Sequence, residues 1–73
     1  MTAPGPDPEE RVRILIMRGE NALRSSRPEH LDRALEAFQE ARQVADATAV
    51  DQRLRELADE RLAETRGLLD DRA

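Results

Sequence analysis

Apolar residues recur at three- and four-residue spacings in three separate segments of this chain. Such spacing places the apolar side chains on one face of an α-helix. Each segment opens with a capping signal, in which an acidic residue follows three positions after Asp7, Ser26 or Thr48. This arrangement is typical of helix N-termini. The sequence therefore predicts an all-α fold with helices over about residues 8–25, 27–46 and 49–69.

The chain is short, with 73 residues, and this limits the core that it can build. A domain of this size buries only about 60% of the surface that its unfolded chain exposes. Small domains usually add disulfides, a metal or oligomerisation. Cysteine is absent and His30 is the only histidine, so disulfides and ordinary zinc sites are excluded. We therefore expect no metal or cofactor, and we expect a homo-oligomer or a chain docked on a larger protein.

Composition divides the chain into one domain and two short ends. Residues 1–7 are rich in proline and glycine without periodicity, which predicts a disordered leader; the helical domain is expected over 8–70, and residues 71–73 as a disordered C-terminus. No apolar stretch reaches the roughly 20 residues that span a bilayer, and the start does not resemble a signal peptide. The net charge of −4 argues against nucleic acid. We expect a cytoplasmic protein that binds neither membranes nor nucleic acids.

The predicted first helix carries more apolar side chains than one face can hold. Ile14, Leu15, Ile16 and Met17 are consecutive, and at about 100° per residue Ile14 and Met17 point away from the main apolar stripe. Either this helix lies between the other two, which would bury both side chains, or the pair forms an exposed patch that a partner chain covers. The sequence leaves both alternatives open.

Small residues and the single phenylalanine occur at fixed spacings in the predicted helices. Ala34, Phe38 and Ala41 have the spacing found in the second helix of a tetratricopeptide repeat, and segments 15–22 and 54–61 are similar to the first helix of such a repeat. Within the earlier segment, Gly19 stands at the small position where two helices approach closely. The chain thus resembles about one and a half degenerate repeats over residues 11 to 69. A lengthened linker at residues 25–30 resembles the degenerate repeats of actinobacterial signalling proteins, which suggests a bacterial source.

The resemblance implies a three-helix antiparallel bundle, made of a repeat-like helical hairpin followed by a third helix, and it implies protein–protein binding. A repeat array needs about three repeats to form a peptide-binding groove. One and a half repeats would instead stack with copies of the same chain or dock on a larger protein. A generic three-helix bundle, for which the same small residues are equally suitable, is the alternative.

Catalytic chemistry has no support in the sequence. One histidine without a partner at helical spacing does not suggest a nucleophile–base pair. The acidic residues of the third segment alternate with arginines, as is typical of a solvated helix face, and Arg61 is expected either to turn its head group outward from the core or to pair with Glu20. We therefore predict that the chain is not an enzyme.

We predict a non-catalytic interaction module that acts as an adaptor or scaffold, by self-association or by docking on a protein partner. The predicted partner-binding residues lie on the first helix and at one edge of the third, and they are Ile14, Met17, Asn21, Arg13, Arg24, Leu62 and Leu69. The alternative is a regulator that holds an enzyme or transcription factor inactive, with its arginine-rich first helix gripping an acidic segment.

Overall fold

A computed structural model describes residues 7–25 and 27–72, and within these ranges the chain forms three α-helices and no β-strand. Helix α1 spans Pro8–Arg24, α2 spans Pro28–Ala47 and α3 spans Gln52–Arg72. The predicted all-α, three-helix fold is confirmed. The leader at residues 1–6, the Ser26 capping signal and residue 73 lie outside the described residues. Helix α3 continues through residues 71 and 72, beyond the predicted domain limit at residue 70.

Aspartates define two of the helix starts. The Asp7 carboxylate accepts a hydrogen bond from the Glu9 amide at 3.1 Å, and Pro8 occupies the first turn, where its missing N–H costs nothing. At α3, the Asp51 carboxylate accepts from the Arg53 amide at 2.9 Å. Each aspartate thus accepts a hydrogen bond from an amide that would otherwise lack a partner at the start of its helix.

The prediction that Thr48 caps α3 is wrong. Its hydroxyl donates to the Val44 carbonyl at 2.6 Å, so this side chain belongs to the end of α2. Threonine and aspartate are both good N-caps, and Thr48 and Asp51 are only three positions apart. The backbone places Asp51 at the cap, and α3 therefore begins three residues later than predicted.

The core forms where the inner faces of the helices meet, around Phe38. This ring is fully buried at the contact of α1 with α2. A Cβ atom built on Gly19 would lie 2.5 Å from the Phe38 ring carbons Cε1 and Cζ, so only glycine lets the ring approach α1 so closely. The buried apolar residues are Val12, Leu15, Ile16, Ala34, Phe38, Ala41, Ala45, Ala58 and Leu62.

Helix α2 is the central element of the bundle. It packs extensively against both α1 and α3, whereas α1 and α3 contact each other much less. Small buried residues on α2, namely Ala34, Ala41 and Ala45, allow this close packing. The alternative in which α1 lies between the other two helices is therefore wrong. One side of α1 is left without a neighbour in the described part of the chain.

Ion pairs connect the helices along the surface. Arg42 lies 3.1 Å from Asp59 and Arg55 lies 2.8 Å from Asp46, and both pairs join α2 to α3. Arg61 is half-buried and reaches Glu20 of α1 at 3.8 Å. Exposed pairs of this kind contribute about 0–1 kcal/mol each, so burial of the apolar core accounts for most of the association between helices.

Candidate functional site

The side of α1 opposite the core exposes two adjacent apolar side chains. Ile14 is 37% exposed and Met17 is 54% exposed, and residues three positions apart are neighbours on a helix surface. Asn21 is also exposed, one turn beyond Met17. We call this side the outer face of α1, and it is formed by Glu10, Ile14, Met17, Asn21 and Arg24.

The exposure of this pair follows from the local sequence. Leu15 and Ile16 occupy the inner face and are buried, so the apolar residues on either side of them rotate outward by about 100° per residue. No other helix of the described chain covers them. Of the two alternatives that the sequence left open, the structure shows this pair exposed, and what covers it stays a prediction.

Arginines border the outer face of α1. Arg13 pairs loosely with Glu9 at 3.8 Å, on the same helix. Arg18 and Arg24 are exposed, and among the described residues neither has an acidic partner within ion-pair distance. Their guanidinium groups therefore make no ion pair with another described residue, and the contact of this arginine-rich helix with an acidic partner stays a prediction.

The predicted contribution of α3 changes in the structure. Leu62 is only 2% exposed and belongs to the core, so it cannot form an exposed edge, and Leu69 is half-buried. The exposed leucine is Leu68, at 47%. Leu68 follows Thr65 by three positions and lies at the margin of the buried stripe of α3, on the side away from Leu62.

The side of α3 opposite the core is acidic and has small residues at its centre. Ala63 and Gly67 are exposed one turn apart, and a Cβ atom built on Gly67 would meet no atom within 4 Å. Acidic residues precede and follow them. We call this side the outer face of α3, and it is formed by Glu56, Glu60, Ala63, Gly67 and Asp70.

A groove of about 500 Å³ runs between α1 and α2. Leu15, Ala22 and Ala37 provide its apolar surface. Its charged lining residues are Arg18 of α1 and Arg33, Glu36 and Glu40 of α2, and the other polar ones are Asn21, Ser25 and His30. The sequence could not locate this groove, because its shape depends on how the two helices cross.

The described residues contain neither a cluster suited to a metal ion nor a helix that could span a membrane. No group of three or more His, Asp or Glu side chains lies close enough together there to hold a metal ion. None of the described helices is sufficiently long and apolar to span a bilayer. The features that remain for a functional interpretation are the two outer faces and the groove.

Comparison with known proteins gives no relative from which a function could be transferred. No family model, curated protein or solved structure matches the chain. Its function is therefore inferred from its own residues, and the resemblance to tetratricopeptide repeats stays a prediction.

Proposed function

We propose that this chain is a small protein–protein interaction module that binds its partner through the outer face of α1. The observation that supports this most is the adjacent exposure of Ile14 and Met17, which stay in water although the inner face of α1 is fully packed. Exposed apolar patches bordered by polar residues mark interaction sites. The proposed activity is adaptor-like, with no chemistry of its own.

The residue types on this face suit a protein interface. Methionine and arginine are enriched at interfaces, where an apolar centre is surrounded by a charged rim. Ile14, Met17, Asn21 and Arg24 follow the three- and four-residue spacing that one helix presents to another. A polar Asn21 within such a stripe favours one register of the partner over others.

The repeat-like interpretation is part of this proposal. The close contact of Gly19 with Phe38 supports it, because the small position of a tetratricopeptide repeat serves such helix–helix approach. The hairpin of α1 and α2, followed by a third antiparallel helix, is compatible with one and a half repeats. An array this short requires a partner to complete its packing.

The test of this proposal is capture of the partner from the native host by the immobilised wild-type chain. We expect the double variant Ile14→Glu/Met17→Glu to capture at least about tenfold less partner than the wild type does, because it places two charges in an apolar contact. Its helix content by circular dichroism should be unchanged, since both positions are exposed.

The matched control adds the same two charges to the exposed side of α2, as Gln43→Glu/Ala47→Glu. This control should capture as much partner as the wild type. Equal recovery by the wild type and by the α1 variant would show that another surface binds the partner.

A second candidate function is favoured by the groove between α1 and α2. Arg18 and Arg33 line it beside the apolar surface of Leu15 and Ala22, and two glutamates, Glu36 and Glu40, line it as well. Because Glu40 pairs with Arg11, both arginines of the groove could still bind an extended segment that carries acidic and apolar residues. In this case the chain would be a regulator that sequesters an acidic segment of an enzyme or transcription factor.

A further inference from the structure

We propose that the partner of the outer face of α1 is the outer face of α3 in a second copy of this chain, so that copies associate head to tail. This inference rests on the proposed function, because it requires the outer face of α1 to be a binding surface. It adds the identity of the partner, the second surface and the symmetry of the contact.

The two faces have complementary charge. The outer face of α1 is bordered by Arg13, Arg18 and Arg24, of which the last two have no acidic partner among the described residues. The outer face of α3 carries Glu56, Glu60 and Asp70, all exposed, with Arg53 and Arg66 at its margins. Glu64 lies beside this face and pairs with Arg61 of the same helix at 3.2 Å. Complementary charge of this kind favours the α1–α3 contact over contacts between like faces.

The two faces also have complementary shape. Ile14 and Met17 project from α1, whereas Ala63 and Gly67 leave a shallow site on α3 where another helix can approach closely. An exposed glycine within a helix is less favourable than alanine, and the surroundings of Gly67 do not explain its presence, because no atom lies within 4 Å of a Cβ atom built on it. A contact made at Gly67 would account for it.

An antiparallel arrangement satisfies both kinds of complementarity together. Both faces have residues at alternating spacings of three and four, which is the pattern that packs one helix against another. With Met17 opposite Gly67 of the second copy, the spacing places Asn21 opposite Ala63 and Arg24 opposite Glu60. At the same register Arg18 lies beside Glu64, and Ile14 lies at the end of the contact, opposite Asp70.

A symmetric contact of α1 with α1 would use the same face of both copies and would close as a dimer. A head-to-tail contact instead leaves one free face at each end of the assembly.

The experiment mixes two variants, each of which has lost one face. The α1-blocked variant is Ile14→Glu/Met17→Glu, and the α3-blocked variant is Glu60→Arg/Gly67→Arg, in which both positions are exposed and Gly67 has open space around it. Weight-average mass is measured by light scattering at high micromolar concentration, for the wild type, for each variant alone and for the equimolar mixture.

We expect the wild type to exceed twice the 8.3 kDa of one chain, and each blocked variant alone to remain at the mass of one chain. The equimolar mixture should form a dimer and nothing larger, because only one intact face of each kind remains. The control Asp32→Arg/Gln43→Arg makes the same change in charge on exposed positions of α2 and should behave as the wild type.

Two outcomes would overturn the inference. A wild type that stays at the mass of one chain excludes self-association, but the capture experiment can still support the proposed function with a different protein. An α3-blocked variant that dimerises alone shows that α1 pairs with α1, which overturns the head-to-tail contact and retains the role of α1. Loss of capture and loss of self-association are thus read separately.

Discussion

At the scale of single residues, two glycines within helices have opposite surroundings. Gly19 is buried against the Phe38 ring, whereas Gly67 faces open space on α3. The same substitution to alanine therefore tests a packing contact at one position and helix propensity alone at the other, which makes the pair a controlled comparison.

We expect Gly19→Ala to lower the free energy of unfolding by about 1–2 kcal/mol. Inserting a methyl group into a packed site costs about 1–3 kcal/mol, and the better helix propensity of alanine returns up to about 1 kcal/mol. Gly67→Ala should instead raise the free energy of unfolding by about 0.5–1 kcal/mol. Urea denaturation followed by circular dichroism measures both values. Equal stabilisation by the two substitutions would contradict the close contact at Gly19.

Local spacing predicts which side of a helix a residue occupies, but exposure also depends on what packs against that side. The sequence turned Ile14 and Met17 away from the main apolar stripe and left open whether another helix covers them, and the structure shows both exposed. On α3, Leu62 and Leu68 both lie three residues from Thr65, yet only Leu62 is buried. Which of them is buried depends on the direction from which α2 approaches, and this information lies in another segment of the chain.

At the scale of whole elements, the number of helices was predictable and one boundary was not. Helical periodicity and capping signals depend on residues only a few positions apart, so the sequence alone is sufficient to predict the number of helices. Thr48 and Asp51 are competing caps for α3, and local chemistry favours neither. The two candidate caps are three residues apart, so choosing Thr48 shifted the predicted start of α3 by three residues.

We expect Asp51→Ala to lower the free energy of unfolding by about 1 kcal/mol, because the Arg53 amide loses its acceptor at the start of α3. Asp51→Asn is the control and should retain most of the stability, since asparagine caps about equally well. Thr48→Ala should cost less than Asp51→Ala. If urea denaturation showed a larger loss of stability for Thr48→Ala than for Asp51→Ala, Thr48 and not Asp51 would be the cap of α3.

The arrangement of the helices was less predictable than their existence. The sequence left open whether α1 lies between the other two helices, whereas the structure places α2 in the centre. Buried alanines let α2 approach both neighbours closely. The number of apolar residues in a helix does not reveal this, because close approach depends on their small size. For the same reason the groove between α1 and α2 was missed.

At the scale of the whole molecule, the two candidate functions use different surfaces and can be separated. If the groove holds an acidic segment, Arg33→Glu should reduce capture of the partner at least about tenfold, and raising the ionic strength should weaken capture because exposed charges are screened. The α1-blocked variant should then still bind, since Arg33 lies on α2. The control Arg53→Glu makes the same charge change on α3.

An Arg33→Glu variant that binds as well as the wild type would exclude the groove. Loss of binding by the α1-blocked variant alone would support the proposed function instead. Ionic strength by itself does not separate the two surfaces, because arginines border both of them.

The contact of Phe38 with Gly19 has a practical consequence for all of these measurements. Phe38 is the only phenylalanine and the sequence has no tryptophan or tyrosine, so the chain is nearly transparent at 280 nm, and apart from the two imidazole protons of His30 one benzene ring provides the aromatic side-chain signals in its proton NMR spectrum. The ring edge faces Gly19, whose α-protons therefore experience its magnetic field at short range. Their chemical shifts provide a label-free gauge of whether α1 and α2 stay together in each variant.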